Sequence, residues 1–232
     1  MVYLLPGKYI LGNLSMRKEL MRDMAFRRFK ESLFAHTLEP GQFVSQRELS
    51  ELLDVPLAPM REAVQRLSSA GLVKIIAQRG IQILEPSPQM LSEAFELRII
   101  LEVAAIKAVP LARIQGNLKK NELKTKRLRT RLVEPLSFEH IKEALDVDWE
   151  LHELFISAMG NKALEAVYQT NADLIRLARF SRRISAEQLV MALNEHLEVI
   201  EALLKQDCDS GAAKMKLHLK TALSRGLGIS DF

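Results

Sequence analysis

Cysteine is nearly absent: Cys208 is the only one among 232 residues, so no disulfide can close within the chain, and the composition suits a reducing cytoplasm. Glycine and proline are scarce, at ten and eight. That argues against a loop-rich all-β protein and for helices. No apolar run approaches the roughly 18 residues of a membrane helix, so no membrane partner is expected. An excess of one charge is also lacking. The net charge of +4 permits nucleic-acid binding without demanding it. Residues 1–85 carry +3 and residues 86–232 carry +1, so any such function has to be argued from motifs. The apolar N-terminus is interrupted by Pro6, Gly7 and Lys8 and lacks a basic start and a cleavage site; residues 1–15 read as an arm, not a signal peptide.

What the chain does have is helical periodicity. Met21, Met24, Ala25, Phe29, Leu33 and Phe34 recur at helical spacing within 16–36, and Glu39-Pro40-Gly41 ends that stretch in a turn. Ser45-Gln46-Arg47-Glu48 is a capping box opening a short helix. Asp54-Val55-Pro56 closes it, and a second helix follows from about Leu57 to Ala70, with Pro59 in its first turn and Gly71 just past its end. Val73–Ala77 and Ile81–Leu84, on either side of Gln78-Arg79-Gly80, read as a hairpin. The rigid Glu85-Pro86-Ser87-Pro88 break suggests one domain over 16–85, a linker over 86–89 and a second domain over 90–232. The second domain reads as helical throughout, near 88–114, 117–133, 137–159, 161–181, 186–206 and 209–226, with Asn121 among the interruptions.

The expected fold is therefore mainly α. An N-terminal winged helix-turn-helix of three helices and a β-hairpin precedes an all-α antiparallel bundle. Two helices joined by a short turn allow the second to enter a DNA major groove. Leu38-Glu39-Pro40-Gly41, Ser45-Gln46-Arg47-Glu48-Leu49, Pro59-Met60-Arg61-Glu62-Ala63-Val64-Gln65-Arg66-Leu67 and Gly71-Leu72-Val73 resemble the GntR family over residues 20–84. That resemblance implies a bacterial transcription regulator, most commonly a repressor, which binds double-stranded operator DNA as a homodimer. It assigns DNA contacts to Arg47, Arg61 and the wing-tip Gly80; Arg79, beside that glycine, is a candidate phosphate contact. The alternative for these arginines is an ordinary solvated surface. One departure stands out: the family's Ser-Arg-Thr before the recognition-helix proline is Pro56-Leu57-Ala58 here. A capping hydroxyl and a DNA-reading arginine are missing, so a different operator or weaker base readout is expected. One bidentate Arg–guanine contact is worth roughly 1–3 kcal/mol of discrimination.

The C-terminal half holds four of the five histidines. Asp148 and His152 are four apart and share a helix face. His196 and His218 each lie 11 residues from Asp207, so antiparallel helices joined there place them at one height. One carboxylate and three imidazoles form a plausible ligand set for a divalent transition metal; the alternative is buried or polar histidines with no metal. Glu96-Leu97-Arg98-Ile99-Ile100-Leu101-Glu102-Val103-Ala104-Ala105, Asp148-x3-His152, Gly160-Asn161, Glu195-His196 and Met215-x2-His218 resemble the FCD sensor domain of the FadR subfamily over about 90–226. The resemblance implies a metal held by Asp148, His152, His196 and His218, zinc first with nickel, manganese or iron also accepted. It also implies a pocket for a small organic-acid effector. Arg98, inside an apolar helix, either pairs with Glu102 one turn on or clamps the effector carboxylate; Asn194 and Asn171 are further pocket candidates. The basic run from Lys119 to Arg131 reads as a solvated face rather than a nucleic-acid site. Two rivals remain: a helical-bundle metalloenzyme, disfavoured because no base stands beside the ligands, and a regulator with a purely structural metal.

Overall fold

Serines and prolines start most of the helices. The computed structural model describes Met21 and residues 23–33, 37–180 and 184–229; the arm over 1–15, and residues 16–20 and 34–36 of the first expected helix, lie outside them. The chain divides into two units, residues 1–86 and 87–232.

In the first unit, residues 23–33 form helix α1. It buries Ala25, Phe29 and Leu33, the positions its spacing picks out. Strand β1 (Phe43–Val44), α2 (Gln46–Leu52), α3 (Leu57–Ser69), β2 (Val73–Ile76) and β3 (Gly80–Ile83) follow. Ser45 closes the capping box: its hydroxyl accepts from the Glu48 amide at 3.1 Å, and its own amide donates to the Glu48 carboxylate at 2.6 Å. Helix α3 starts from Pro56 with no side-chain cap, as expected from the missing serine. It buries Met60, Ala63, Val64 and Leu67. The strands pair antiparallel in the order β1-β3-β2. The sequence pattern gives only the β2–β3 hairpin. The third strand is two residues long, too short for any alternation to register, and is recruited by pairing Val44 with Ile81.

The second unit is six helices: α4 (Pro88–Ala108), α5 (Leu111–Arg129), α6 (Phe138–Ala158), α7 (Lys162–Phe180), α8 (Ala186–Leu204) and α9 (Cys208–Leu227). Ser87, Ser137, Ser185 and Asp207 cap the starts of α4, α6, α8 and α9. Cross-links show neighbours running antiparallel: Asn121 of α5 bonds the Val147 carbonyl of α6 and Arg131, just past the end of α5, pairs with Glu143 nearer the start of α6, while Lys214 to Glu198 and His218 to Glu195 link α9 and α8. Leu151, Phe155, Ile175, Val199, Leu203, Met215 and Leu219 lie in the main core. Full burial of each such side chain contributes about 1.5–3 kcal/mol.

Two expectations need correction. The first long helix does not run on to residue 114. Pro110 has no N–H to donate and excludes the helical conformation at the preceding residue, so Val109 is extended (φ −81°, ψ 126°) and α5 starts afresh. Asn121 does not interrupt a helix either. It is buried within α5, where its amide bonds the Val147 carbonyl at 3.1 Å.

Candidate functional site

In the N-terminal unit, α3 presents Leu57, Ala58, Arg61 and Gln65 outward, opposite its buried stripe. Arg61 Nε donates to Gln46 Oε1 at 3.2 Å, tying the exposed side of α3 to the first turn of α2. Arg47 is highly exposed and pairs with Glu51 on its own helix. Arg79 sits over the Phe43 ring at 4.8 Å, at the turn between β2 and β3. Gly80 has φ +99°, and a Cβ there would come 2.8 Å from the Val44 carbonyl oxygen, so the close approach of β3 to β1 requires glycine. Arg66 turns away to pair with Asp23 at 2.6 Å and to cover Phe26.

In the helical unit, Asp148 and His152 on α6, His196 on α8 and His218 on α9 converge in the interior. All four are buried, and one ligand-type atom from each lies within 4.8 Å of the others. His196 Nε2 is 3.0 Å from His218 Nε2 and 3.6 Å from Asp148 Oδ1. Carboxylates stand behind two of the rings. His152 Nδ1 meets Glu102 Oε2 at 2.6 Å, and His218 Nδ1 meets Glu195 Oε2 at 2.6 Å. These bonds place the proton on Nδ1 and turn a bare Nε2 lone pair inward. His152 Nε2 is buried with no hydrogen-bond partner.

The charge states follow from burial. Burial together with Arg98 lowers His152 to about 4 against the pull of Glu102; burial and His218 lower His196 to about 3; burial lowers His218 to about 4 despite Glu195. All three imidazoles are therefore neutral near pH 7. Burial pushes the Asp148 carboxyl up, but Arg179, at 3.0 Å, and the imidazoles outweigh it and hold the group well below the usual carboxylate range. A buried carboxylate facing neutral imidazole lone pairs, one of them unsatisfied, fits a divalent transition metal.

Arg98 makes the pair with Glu102 that was weighed for it. It is buried, its Nε donates to Glu102, and its guanidinium lies 4.3 Å from the Trp149 ring. Its Nη2 is buried without a partner. Tyr168 donates to the same Glu102 oxygen at 2.8 Å, so Glu102 joins α4, α6 and α7. Burial would raise Glu102, but Arg98 and His152 hold it down at about 2. Beside Asp148 and His218 is a cavity of about 240 Å³ that Arg98, Arg179 and Arg225 also line. Each guanidinium has a carboxylate partner: Arg98 pairs with Glu102, Arg179 with Asp148 at 3.0 Å and Arg225 with Glu195 at 2.7 Å. Asn194 and Asn171 do not line this cavity: Asn194 accepts from Arg129, and Asn171 donates to the Ala94 carbonyl. A larger groove of about 720 Å³ between α5, α6 and α7 is polar and contains the ion pairs Lys124–Glu150 and Arg176–Glu153. Much of the Lys119–Arg131 run is likewise paired, through Lys124, Lys126 and Arg131 with acids and Arg129 with Asn194.

The sequence reading missed Arg179 and Arg225; it quoted Glu195 beside His196 without a role and did not give Glu102 its hub role. Arg225 lies seven residues, two turns, beyond His218 and so on its face, a usable signal. Arg179 and Asp148 are on different helices with no local signal linking them.

A winged helix-turn-helix followed by a separate helical domain with an internal cavity defines a two-domain DNA-binding regulator. Residues 93–221 match the FCD domain and residues 21–83 match the bacterial regulatory proteins of the gntR family. The chain belongs to the FCD-domain branch of the GntR family of transcription regulators; it is not an enzyme, which removes the metalloenzyme rival. Similar curated proteins include the HTH-type transcriptional regulator YdhC of Bacillus subtilis, 24% identical over 87% of this chain and 92% of that one. The HTH-type transcriptional repressor GlaR of Escherichia coli is 23% identical, over 85% and 92% respectively. Among solved structures, a GntR regulator from Rhodococcus sp. RHA1 shares the fold at 17% identity, TM-score 0.76, covering 93% of this chain and all of that one. The metal-free FCD domain of another regulator aligns at 26% identity and TM-score 0.53, over 62% of this chain and 95% of its own. No described helix is long and apolar enough to cross a membrane.

Proposed function

We propose that this chain is a cytoplasmic, homodimeric repressor whose grip on operator DNA is set by a small carboxylate bound beside a metal. Asp148, His152, His196 and His218 would hold the metal, with zinc the first candidate. Arg47, Arg61, Arg79 and Gly80 would serve DNA contact. The observation that carries this reading is the placement of four buried ligand-type atoms within 4.8 Å of one another, next to a cavity edged by three arginines. When bound, a divalent metal supplies a Lewis-acid pole for an effector carboxylate. Arg98 Nη2, buried without a partner while Nε donates to Glu102, would supply a charged donor to the same effector carboxylate. Arg179 and Arg225 reach the cavity from α7 and α9, so an anion there draws helices together. Coupling of about 1–3 kcal/mol to the DNA-binding unit changes operator affinity roughly five- to 150-fold. Repression is supported by the relative named as a repressor.

The test combines elemental analysis with gel shifts on the DNA upstream of the chain's own gene, with and without chelator and a panel of small carboxylates. Purified protein is expected to carry about one metal per chain and to change its DNA affinity with one of the acids. Metal-free native protein, unchanged in stability by His196→Ala, refutes the metal site. A metal whose removal unfolds the domain, while no acid raises the melting temperature, supports the purely structural alternative.

A further inference from the structure

Pro56-Leu57-Ala58 leads into the recognition helix where the family has Ser-Arg-Thr. Leu57 is the first residue of α3, and Leu57, Arg61 and Gln65 form one outward stripe at four-residue spacing. The side chain is 39% exposed, although the helix buries Met60, Ala63, Val64 and Leu67 on its other side. It is not needed to anchor the helix start. The staple positions on either side of the Pro56 cap are Val55 and Met60, which are 3% and 0% exposed. An unpartnered leucine thus occupies the end of the recognition helix that meets base edges. Its neighbour Ala58 is small and exposed, and neither side chain can donate or accept a hydrogen bond. The major-groove feature that such a surface fits is the C5-methyl group of thymine.

We infer that Leu57 is a specificity-determining residue that reads a thymine methyl in each operator half-site, where a cationic residue would read guanine. The inference rests on operator binding by α3 and adds the base class that its first turn selects. Arg61, held at 3.2 Å from Gln46, stays one turn further on as a hydrogen-bonding reader.

The test begins with selection of binding sites from a randomised duplex library by the full-length protein. Each thymine of the enriched half-site is then replaced in turn by deoxyuridine, which removes only the methyl group. One replacement is expected to weaken wild-type binding about four-fold, the equivalent of one buried methyl group at 0.8 kcal/mol. The same replacement should leave Leu57→Ala within 1.5-fold. Leu57→Arg, an exposed change that poses little risk to folding, should move the preference at that base pair to guanine. A methyl effect of equal size in wild type and Leu57→Ala, or no methyl effect at any thymine, overturns the assignment while leaving operator binding intact. A library with no enriched sequence refutes sequence-specific binding itself, and this inference with it.

Discussion

Replacing Glu102 by glutamine tests the arrangement at its hub. Glu102 is fully buried and accepts three hydrogen bonds, from Arg98 Nε, Tyr168 and His152 Nδ1. Glutamine keeps one acceptor oxygen. If that oxygen serves Arg98 and Tyr168, the new amide hydrogens face His152 Nδ1, which must then become the acceptor. The proton moves to His152 Nε2, and the lone pair turned toward Asp148 and the other two rings is lost. A change of this kind behind a metal-binding histidine typically costs 10–100-fold in metal affinity, or about 1.4–2.7 kcal/mol. Separately, Arg98 loses its only nearby counter-charge on the same helix. Removing one partner of a buried pair costs about 3–5 kcal/mol, and the Trp149 ring offsets only part of that. The two effects separate experimentally. Metal affinity is read by competition with a chromophoric chelator; stability is read by denaturant unfolding in excess chelator. Glu195→Gln provides the comparison: it disturbs His218 in the same way and weakens a pair with Arg225, but at a site where both partners keep some exposure, 25% and 15%, against 0% and 2% for Glu102 and Arg98. It should weaken metal binding with a smaller loss of metal-free stability. Glu102→Gln protein that binds metal within two-fold of wild type would show that the carboxylate does not set the His152 tautomer, and the reasoning fails.

Chelation should destabilise the loaded protein. At a free metal concentration a thousand times its Kd the bound ion adds about 4 kcal/mol, so stripping it should lower Tm by about 8–16 °C; an unchanged Tm counts against the site. Metal-free protein should weaken in mild acid. Burial holds His152, His196 and His218 at about 4, 3 and 4 in the fold against 6.5 in the unfolded chain. Unfolding therefore takes up protons, and stability that is complete above pH 6.5 falls as the pH drops toward 4. The slope reaches about 1.4 kcal/mol per pH unit for each imidazole. Urea midpoints at pH 7 and pH 5 that coincide would contradict this. Gly80→Ala should cost about 1–3 kcal/mol, because its φ of +99° disfavours any side chain and Val44 blocks the Cβ; a midpoint equal to wild type refutes the strain.

Helices were legible wherever one physical cause acted locally. Serine caps, apolar spacing and Gly71 place α2 and α3 closely, and the six-helix pattern of the second unit is visible in the periodicity alone. The errors occurred where local and tertiary causes competed. Apolar residues continue across Val109 and Pro110, so periodicity carried the first long helix through a proline that stops it. Asn121 resembles an interruption until its partner, the Val147 carbonyl, is known.

The candidate site divides along the same line. Asp148 and His152 share a helix face, and Asp207 sets the heights of His196 and His218, so ligand convergence could be argued before any coordinates. The groups that define charge around the cluster come from four helices: Glu102 from α4, Arg179 from α7, Glu195 from α8 and Arg225 from α9. No spacing within one helix predicts such a set. Arg98 shows why the two kinds of information are needed together. Pairing with Glu102 and contact with a carboxylate ligand looked like competing fates for one guanidinium, yet Nε takes the first role and Nη2 is left for the second. The internal pair fixes the guanidinium and holds Glu102 ionised behind His152. An effector carboxylate would then meet an arginine already oriented by the same residue that orients the imidazole. Changes at Glu102 should consequently alter effector and metal binding together, and so should changes at Arg225, which holds the Glu195 carboxylate that meets His218 Nδ1.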